Sequence, residues 1–143
     1  MPETLRTEIE IAAPQATVFA FLTDPDRIRR WIGPATVDLR PGGIFLVSVG
    51  DRHAARGEFI EVVPVHRLVY SFGWEERPDV PPGSSRIEID LMDRGDATLV
   101  RLTHSGLPNA QERAGHEKGW NHYLGRLAVA AAGGDPGPDF PPG

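Results

Sequence analysis

The segment HEKGWNHYLGRLAVAAA, residues 116–132, decides the fold, because it predicts one long amphipathic helix near the end of the chain. Asn109 is placed to cap the start of this helix, with Glu112 completing a capping box, and Gly133-Gly134 is placed to end it. At helical spacing, one broad stripe is formed by His116, Trp120, Tyr123, Leu124, Leu127 and Ala131. Such a stripe must be buried against a second layer of structure.

The same helix contains three glycines, and each of them is costly. A glycine in a helix interior costs about 1 kcal/mol relative to alanine, so Gly115, Gly119 and Gly125 together cost about 3 kcal/mol. We expect Gly119 to be needed because sheet or loop backbone approaches the helix closely there. The small residues AVAAA, at 128–132, predict the same close approach at the helix end.

The rest of the chain predicts a sheet of consecutive strands. TLRTEIEIA alternates, with Leu5 and Ile9 on one face and Arg6 and Glu8 on the other, and two short helices follow it. Further strands are expected at 35–40, 44–49, 56–63, 67–74, 86–93 and 97–104. Consecutive short strands favour antiparallel pairing. The predicted class is therefore α+β: a curved antiparallel β-sheet wrapped around a long C-terminal α-helix, with two short helices after the first strand.

Composition excludes several classes of function. The net charge of −5 disfavours non-specific binding to nucleic acid or to anionic membranes. The absence of cysteine excludes disulfides, thiol nucleophiles and cysteine-type zinc sites. With no apolar signal core and no run long enough to span a membrane, we expect a cytoplasmic protein. We expect one domain at 1–132, followed by a disordered Gly/Pro-rich tail at 133–143.

Five segments resemble a known family when they are taken in order. They are APQATVFAFLTDPDRIRRWIGP, RPGGIF, GEFIEVVPVHRLVYSFGW, ATLVRLTHSGL and GHEKGWNHYLGRL, which together span about residues 5 to 130. The chain is similar to the START-like (SRPBCC, Bet v I-like) superfamily, and within it to the bacterial branch named after the activator of the heat-shock ATPase chaperone. The resemblance implies a helix-grip fold with a cavity between the last helix and the sheet. Members of this superfamily differ in role, so the resemblance does not specify a function.

Aromatic residues near the helix start face aromatic strand residues, and they either fill the core or line a pocket. The resemblance favours the pocket and implies that Trp31 packs at its edge. The predicted ligand-binding residues are Trp31, Phe45, Val47, Phe59, Tyr70, Phe72, Trp74, His104, His116, Trp120, Tyr123 and Leu124. The Pro-rich loop at 75–85 is expected near the same end, where we interpret it as a semi-rigid lid.

Polar side chains suited to catalysis are few. None of the five histidines has the spacing of a metal site, so neither a metal nor a cofactor is expected. His104 and His116 could reach the pocket, either as hydrogen-bonded residues at the core edge or as polar anchors or proton-transfer groups. Glu58 and Glu61 have opposite strand parity, which predicts that they cannot pair on one face.

Three functions remain open from the sequence. The first is non-enzymatic binding of a hydrophobic or aromatic small molecule. The second is a cyclase- or dehydratase-type enzyme acting on a hydrophobic, polyketide-like substrate. The third is a domain that interacts with a chaperone ATPase. The expected partner is a hydrophobic small molecule rather than a nucleic acid or a membrane, and a homodimer is possible.

Overall fold

A computed structural model describes residues 4–50 and 53–139. One seven-stranded antiparallel sheet in the order β1-β7-β6-β5-β4-β3-β2 faces a long C-terminal helix, which confirms the predicted helix-grip architecture. The strands are β1 (Thr4–Ile11), β2 (Ala35–Val37), β3 (Ile44–Val49), β4 (His53–Val63), β5 (Arg67–Phe72), β6 (Ser85–Arg94) and β7 (Ala97–Ser105). The helices are α1 (Gln15–Thr23), α2 (Pro25–Ile28) and α3 (Ala110–Ala131).

Strand alternation follows the predicted pattern on most of the sheet. On β7, Thr98, Val100, Leu102 and His104 are buried, and the residues between them are partly exposed. Three strands differ from expectation by two residues or more. β5 ends at Phe72 rather than at residue 74. β2 ends at Val37 rather than at residue 40, because the backbone turns back at 38–43 through the Gly43 N–H bond to the Arg40 carbonyl. β4 begins at His53, so His53 lies on a strand rather than in a loop.

A β-bulge in β4 overturns the prediction for Glu58 and Glu61. The register of β4 against β5 shifts between Phe59 and Glu61, which adds one residue to the strand. Phe59 pairs with Tyr70 on the face that packs on the core, whereas Glu61 pairs with Val69 on the outer face. Glu58 and Glu61 therefore share the outer face, away from α3.

The two short helices that the sequence places after the first strand are both present. Pro14 is the N-cap of α1, and the Asp24 side chain caps α2 by accepting from the Asp26 N–H at 3.0 Å. α2 is a single turn, and the irregular turns after it bring Trp31 into the core, where Trp31 is 3% exposed. These helices close one end of the space between α3 and the sheet.

The start of α3 confirms Asn109 as its cap, with the side chain accepting from the Glu112 N–H at 2.8 Å. The carboxylate of Glu112 is directed away from the predicted capping box and accepts a hydrogen bond from Arg77. The explanation for Gly119 by close backbone approach is wrong. A Cβ built at Gly119 would meet no atom within 4 Å, and the same is true at Gly115 and Gly125.

The division into a domain at 1–132 and a disordered tail stays a prediction, and residues 140–143 lie outside the described part of the chain. The backbone before them, at 134–139, returns along α3. Arg126 donates to the carbonyls of Pro136 and Pro138, both at 3.3 Å.

Within the part of the chain that the structure describes, none of the helices combines the length and the apolar character required to cross a bilayer.

Candidate ligand-binding site

A cavity of about 250 Å³ lies between the first half of α3 and strands β3, β4 and β5. Its walls are mostly apolar, and its charged residues are Arg77 and Glu112. It is lined by Ile32, Phe45, Val47, Val49, Ala55, Tyr70, Phe72, Trp74, Arg77, Glu112, Gly115, His116, Gly119, Trp120 and Tyr123. The cavity thus separates part of α3 from the sheet, while Trp120 still contacts Phe72 with ring centroids 6.1 Å apart.

Eight of the twelve residues predicted to bind a ligand line this cavity. They are Phe45, Val47, Tyr70, Phe72, Trp74, His116, Trp120 and Tyr123. The other four lie behind the walls: Trp31, Phe59, His104 and Leu124. The Trp31 indole is directed into the core by its hydrogen bond to the Phe21 carbonyl at 2.8 Å, so it does not form the cavity edge.

Seven lining residues were not among those predicted. Ile32, Val49 and Ala55 are small or medium apolar residues that the sequence does not separate from other core positions. Arg77 and Glu112 are charged, and Gly115 and Gly119 lack side chains. The glycines of the helix could have indicated the cavity, because their cost in helix stability predicted that space around them matters. Open space, rather than close contact with backbone, surrounds them.

Aromatic rings pack closely behind and along the sheet side of the cavity. The Phe45 and Tyr70 rings are tilted by 35° with centroids 4.7 Å apart, and Phe72 meets Trp74 edge to face at 5.4 Å. Rings in such contacts restrain one another. The sheet therefore presents a stiff, flat, apolar surface to whatever occupies the cavity.

His104 is fully buried, and its hydrogen bonds assign one neutral tautomer. Ser85 Oγ donates to the Phe72 carbonyl at 2.9 Å, so His104 Nε2–H donates to Ser85 Oγ, also at 2.9 Å. His104 Nδ1 accepts from the Trp120 indole N–H at 3.1 Å. Burial, together with the neighbouring His116, lowers the pKa of His104 to about 3. Both ring nitrogens of His104 are therefore occupied by hydrogen bonds within the protein.

His116 is held in the opposite tautomer. Its Nε2 accepts from the Trp74 indole N–H at 3.1 Å, and its Nδ1–H donates to the Glu112 carbonyl at 2.8 Å. His116 is 9% exposed and borders the cavity. Two Trp–His bonds therefore link α3 to the sheet side: Trp120 reaches from the helix to His104, and Trp74 reaches back to His116.

An ion pair closes the outer end of the cavity. Arg77, in the loop after β5, donates to Glu112 at 2.5 Å and to Asp79 at 2.9 Å. The hydrogen bond that Arg77 donates to Glu112 is the main reason why the pKa of Arg77 is raised. The loop at 75–84 is thus joined to the first turn of α3, which is where the sequence predicted a lid.

The two cavity tyrosines differ in their hydroxyl groups. Tyr123 Oη–H donates to Asp139 at 2.6 Å, whereas no residue in 4–50 or 53–139 hydrogen-bonds the Tyr70 hydroxyl. The described residues contain no polar side-chain atom that is both sealed off and without a partner, so the Tyr70 hydroxyl must face the space that its ring lines. Burial raises the pKa of Tyr70 and keeps it neutral.

No group of three or more His, Cys, Asp or Glu residues within 4–50 and 53–139 is arranged to hold a metal ion. The polar side chains that line the cavity include Tyr70, Tyr123, His116 and the Arg77–Glu112 ion pair.

Comparison with known proteins gives a consistent family. The family of Activator of Hsp90 ATPase homolog 1-like proteins matches residues 12–132. An AHSA1-like protein from Rhizobium etli is 59% identical, with a TM-score of 0.78 over 97% of this chain and 88% of that chain. Among curated proteins, none matches this chain.

Two more distant solved structures are informative. DynU16, a protein in the dynemicin biosynthetic locus, is 26% identical with a TM-score of 0.83, and the alignment covers 95% of this chain and 49% of DynU16. CalU16 from Micromonospora echinospora is 29% identical with a TM-score of 0.73, over 91% of this chain and 76% of CalU16.

Proposed function

This chain belongs to the family of Activator of Hsp90 ATPase homolog 1-like proteins, within the SRPBCC/Bet v I-like fold, and on that premise we propose that it binds a hydrophobic or aromatic small molecule without transforming it. The observation that supports this most directly is the apolar cavity of about 250 Å³ between α3 and the sheet. A cavity of roughly 150 Å³ is enough to hold benzene, so this one has room for a molecule of two or three rings.

The energetics favour an occupant that is mostly apolar. Removing apolar surface from water contributes about 25 cal/mol per Å², and the aromatic walls supply that surface without a charged group among them. The glycines of α3 support the same proposal. Gly115 and Gly119 keep the helix side of the cavity open at a cost in helix stability, which a protein with a filled core would not need.

The test is to fill the cavity from the helix side. Leucine at position 119 projects into the cavity, whereas leucine at position 125 sits in the same helix at a glycine that does not line it. The probe is N-phenyl-1-naphthylamine, a neutral aromatic dye whose fluorescence rises in apolar surroundings. We expect wild type and Gly125→Leu to bind one dye per chain, and Gly119→Leu to bind it at least about 10-fold more weakly, a loss of about 1.4 kcal/mol.

Absence of saturable dye binding by the wild type would reject the proposal. Equal binding by the two leucine variants would also reject it, because the dye would then be held elsewhere. Circular dichroism shows whether each variant retains the α+β fold, so a loss of binding can be separated from a loss of structure.

An enzyme acting on a polyketide-like substrate is the second candidate, supported by the likeness to DynU16 and its biosynthetic locus. Proton transfer needs a free base or acid in the cavity, and His116 is the histidine that lines it. Its two nitrogens are held by Trp74 and by the Glu112 carbonyl, so catalysis would require one of these bonds to open. Turnover that survives in His116→Gln would remove His116 from this role.

Interaction with a chaperone ATPase is the third candidate, and it rests on the family description alone. Co-purification of this chain with an Hsp90-type chaperone would favour it over ligand binding, provided that Gly119→Leu co-purifies equally well and that added dye does not reduce the amount of chaperone recovered.

A further inference from the structure

The structure points to one hydrogen-bonding group inside the proposed cavity that is left for a ligand. We propose that the Tyr70 hydroxyl selects ligands that carry one uncharged hydrogen-bonding oxygen, such as a ketone, on a flat apolar frame. This inference rests on the proposed function, because it concerns the same cavity. It adds the chemical class of the ligand and the residue that recognises it.

The other polar groups around the cavity are already used. The indole N–H groups of Trp74 and Trp120 donate to His116 and His104, and the hydroxyl of Tyr123 donates to Asp139. Tyr70 is 4% exposed, and within residues 4–50 and 53–139 its hydroxyl has no partner. A ligand that covers this hydroxyl without bonding it leaves a polar group unsatisfied, which is unfavourable, so a ligand that supplies the hydrogen bond binds more tightly.

The position of Tyr70 places this group at the inner end of the cavity. A small void of about 10 Å³ adjoins the cavity and shares Ile32, Phe45, Tyr70 and Trp120 with it. The remaining walls of the void are core residues such as Leu68. Arg77 and Glu112 mark the opposite, outer end, so a ligand would enter with its oxygen leading towards Tyr70.

Charge complementarity argues for a neutral ligand. Arg77 is already paired with Glu112 and Asp79, and the ring nitrogens of His104 and His116 are occupied by hydrogen bonds. An anion brought to Tyr70 would lose its hydration without meeting a free cation, which costs far more than burying a ketone. The flat ring faces of Phe45 and Tyr70 favour a planar frame.

The experiment compares two ligands that differ by one oxygen. Fluorene and 9-fluorenone share a planar three-ring frame, and only fluorenone has a carbonyl. Their dissociation constants are measured by displacement of N-phenyl-1-naphthylamine from wild type, Tyr70→Phe and Thr23→Val. Thr23→Val is the control, because it removes a buried hydroxyl that is bonded to the Phe19 carbonyl and that does not line the cavity.

We expect wild type and Thr23→Val to bind fluorenone about 5- to 30-fold more tightly than fluorene. In Tyr70→Phe the preference should fall to about 1-fold, with the affinity for fluorene retained. Fluorene-9-carboxylate should bind more weakly than either neutral compound.

Equal affinities for the two compounds in wild type would overturn the inference, and so would a preference that survives in Tyr70→Phe. Dye binding in the same samples keeps the two proposals apart: a wild type that binds the dye but ignores the carbonyl refutes only the role of Tyr70. If Tyr70→Phe does not fold, the infrared carbonyl stretch of fluorenone bound to wild type decides. A shift to lower frequency than in hexane supports the hydrogen bond, and an unshifted band refutes it.

Discussion

Among single residues, His104 shows how strongly burial can set a chemical property. It is a titratable side chain with no exposed surface, and its two nitrogens are satisfied by Ser85 and Trp120. The folded protein therefore keeps His104 neutral, with a pKa of about 3, while an unfolded chain protonates it near pH 6.5. Below that pH the unfolded state takes up a proton that the folded state does not.

We expect this difference to make His104 a source of acid sensitivity. The free energy of unfolding should lose about 1.4 kcal/mol per pH unit from this residue as the pH falls from about 6.5 towards 3. His104→Gln, which can still bond Ser85 and Trp120, should be less stable than wild type at pH 7. That gap should narrow by about 2–3 kcal/mol between pH 6 and pH 4, as followed by urea denaturation. A gap that does not change with pH would contradict the prediction, and so would a His104 ring signal that titrates between pH 8 and pH 5 in NMR spectra of wild type.

The sequence predicted residue types better than it predicted their directions. Phe45, Tyr70 and Phe72 could be assigned to the cavity because strand parity puts them on the face that carries the other core residues. Trp31 and His104 could not be excluded from it, because their places behind the wall depend on hydrogen bonds to the Phe21 carbonyl and to Ser85. No local sequence pattern encodes those distant partners.

Among the elements, α3 contains two glycine positions at which the effect of helix propensity on stability can be measured apart from the effect of side-chain packing. Gly119→Ala and Gly125→Ala should each raise the free energy of unfolding by about 0.5–1 kcal/mol, because neither new methyl group meets another atom within 4 Å. Thermal denaturation of the single variants measures this. A destabilised Gly119→Ala would show that the helix and the sheet approach more closely at this point than the structure indicates.

The loop at 75–84 is the element that we propose acts as a lid. Glu112→Gln removes the ion pair that joins Arg77 to α3, whereas Glu75→Gln removes an ion pair between the same loop and Arg56 on β4. The dissociation rate of N-phenyl-1-naphthylamine, measured by stopped flow, should rise roughly 1.5- to 5-fold in Glu112→Gln and stay near the wild-type value in Glu75→Gln. Hydrogen exchange at 75–84 that is as slow as in the strands, with or without dye, would argue against a lid.

Element boundaries were predictable wherever a capping residue or a turn residue marked them. Asn109 caps α3, as predicted. The bulge between Phe59 and Glu61 was not predictable, because the residue types of the strand do not mark where a bulge occurs. The bulge nevertheless reverses the direction of every later side chain in the strand. The lid contact was missed for a similar reason, since Glu112 at the third helical position satisfies a capping pattern whether or not its carboxylate bonds elsewhere.

In the whole molecule, sheet order was predictable from strand succession, and the cavity was not. Each strand from β2 to β7 pairs with the next in sequence, which is the arrangement that short connections favour. β1 lies at the edge of the sheet beside β7. The volume between the sheet and α3 depends on how far the bent sheet stands from the helix, and that distance has no local signature. A homodimer stays a prediction. The Aha1 dimer from Colwellia psychrerythraea, 17% identical over 92% of this chain and 95% of that chain with a TM-score of 0.77, shares the fold.

A ligand that bridges helix and sheet should stabilise the whole molecule. At a free concentration of 100 times its dissociation constant, 9-fluorenone should add about 2.7 kcal/mol to the free energy of unfolding. For a chain of this length, that corresponds to a rise in the melting temperature of roughly 5–10 °C, measured by scanning calorimetry. Gly119→Leu, with binding at least about 10-fold weaker, should show at most about half of that rise. An equal rise in that variant would place the binding outside the cavity.

Gly115 and Gly119 line the cavity and both belong to α3. Substitutions at these two positions can therefore change the cavity volume while every strand residue stays the same. Alanine, valine and leucine at position 119 would give a graded series of chamber sizes on one scaffold. Single substitutions at this position could then change the size of ligand that the protein accepts, independently of the contacts that make it fold.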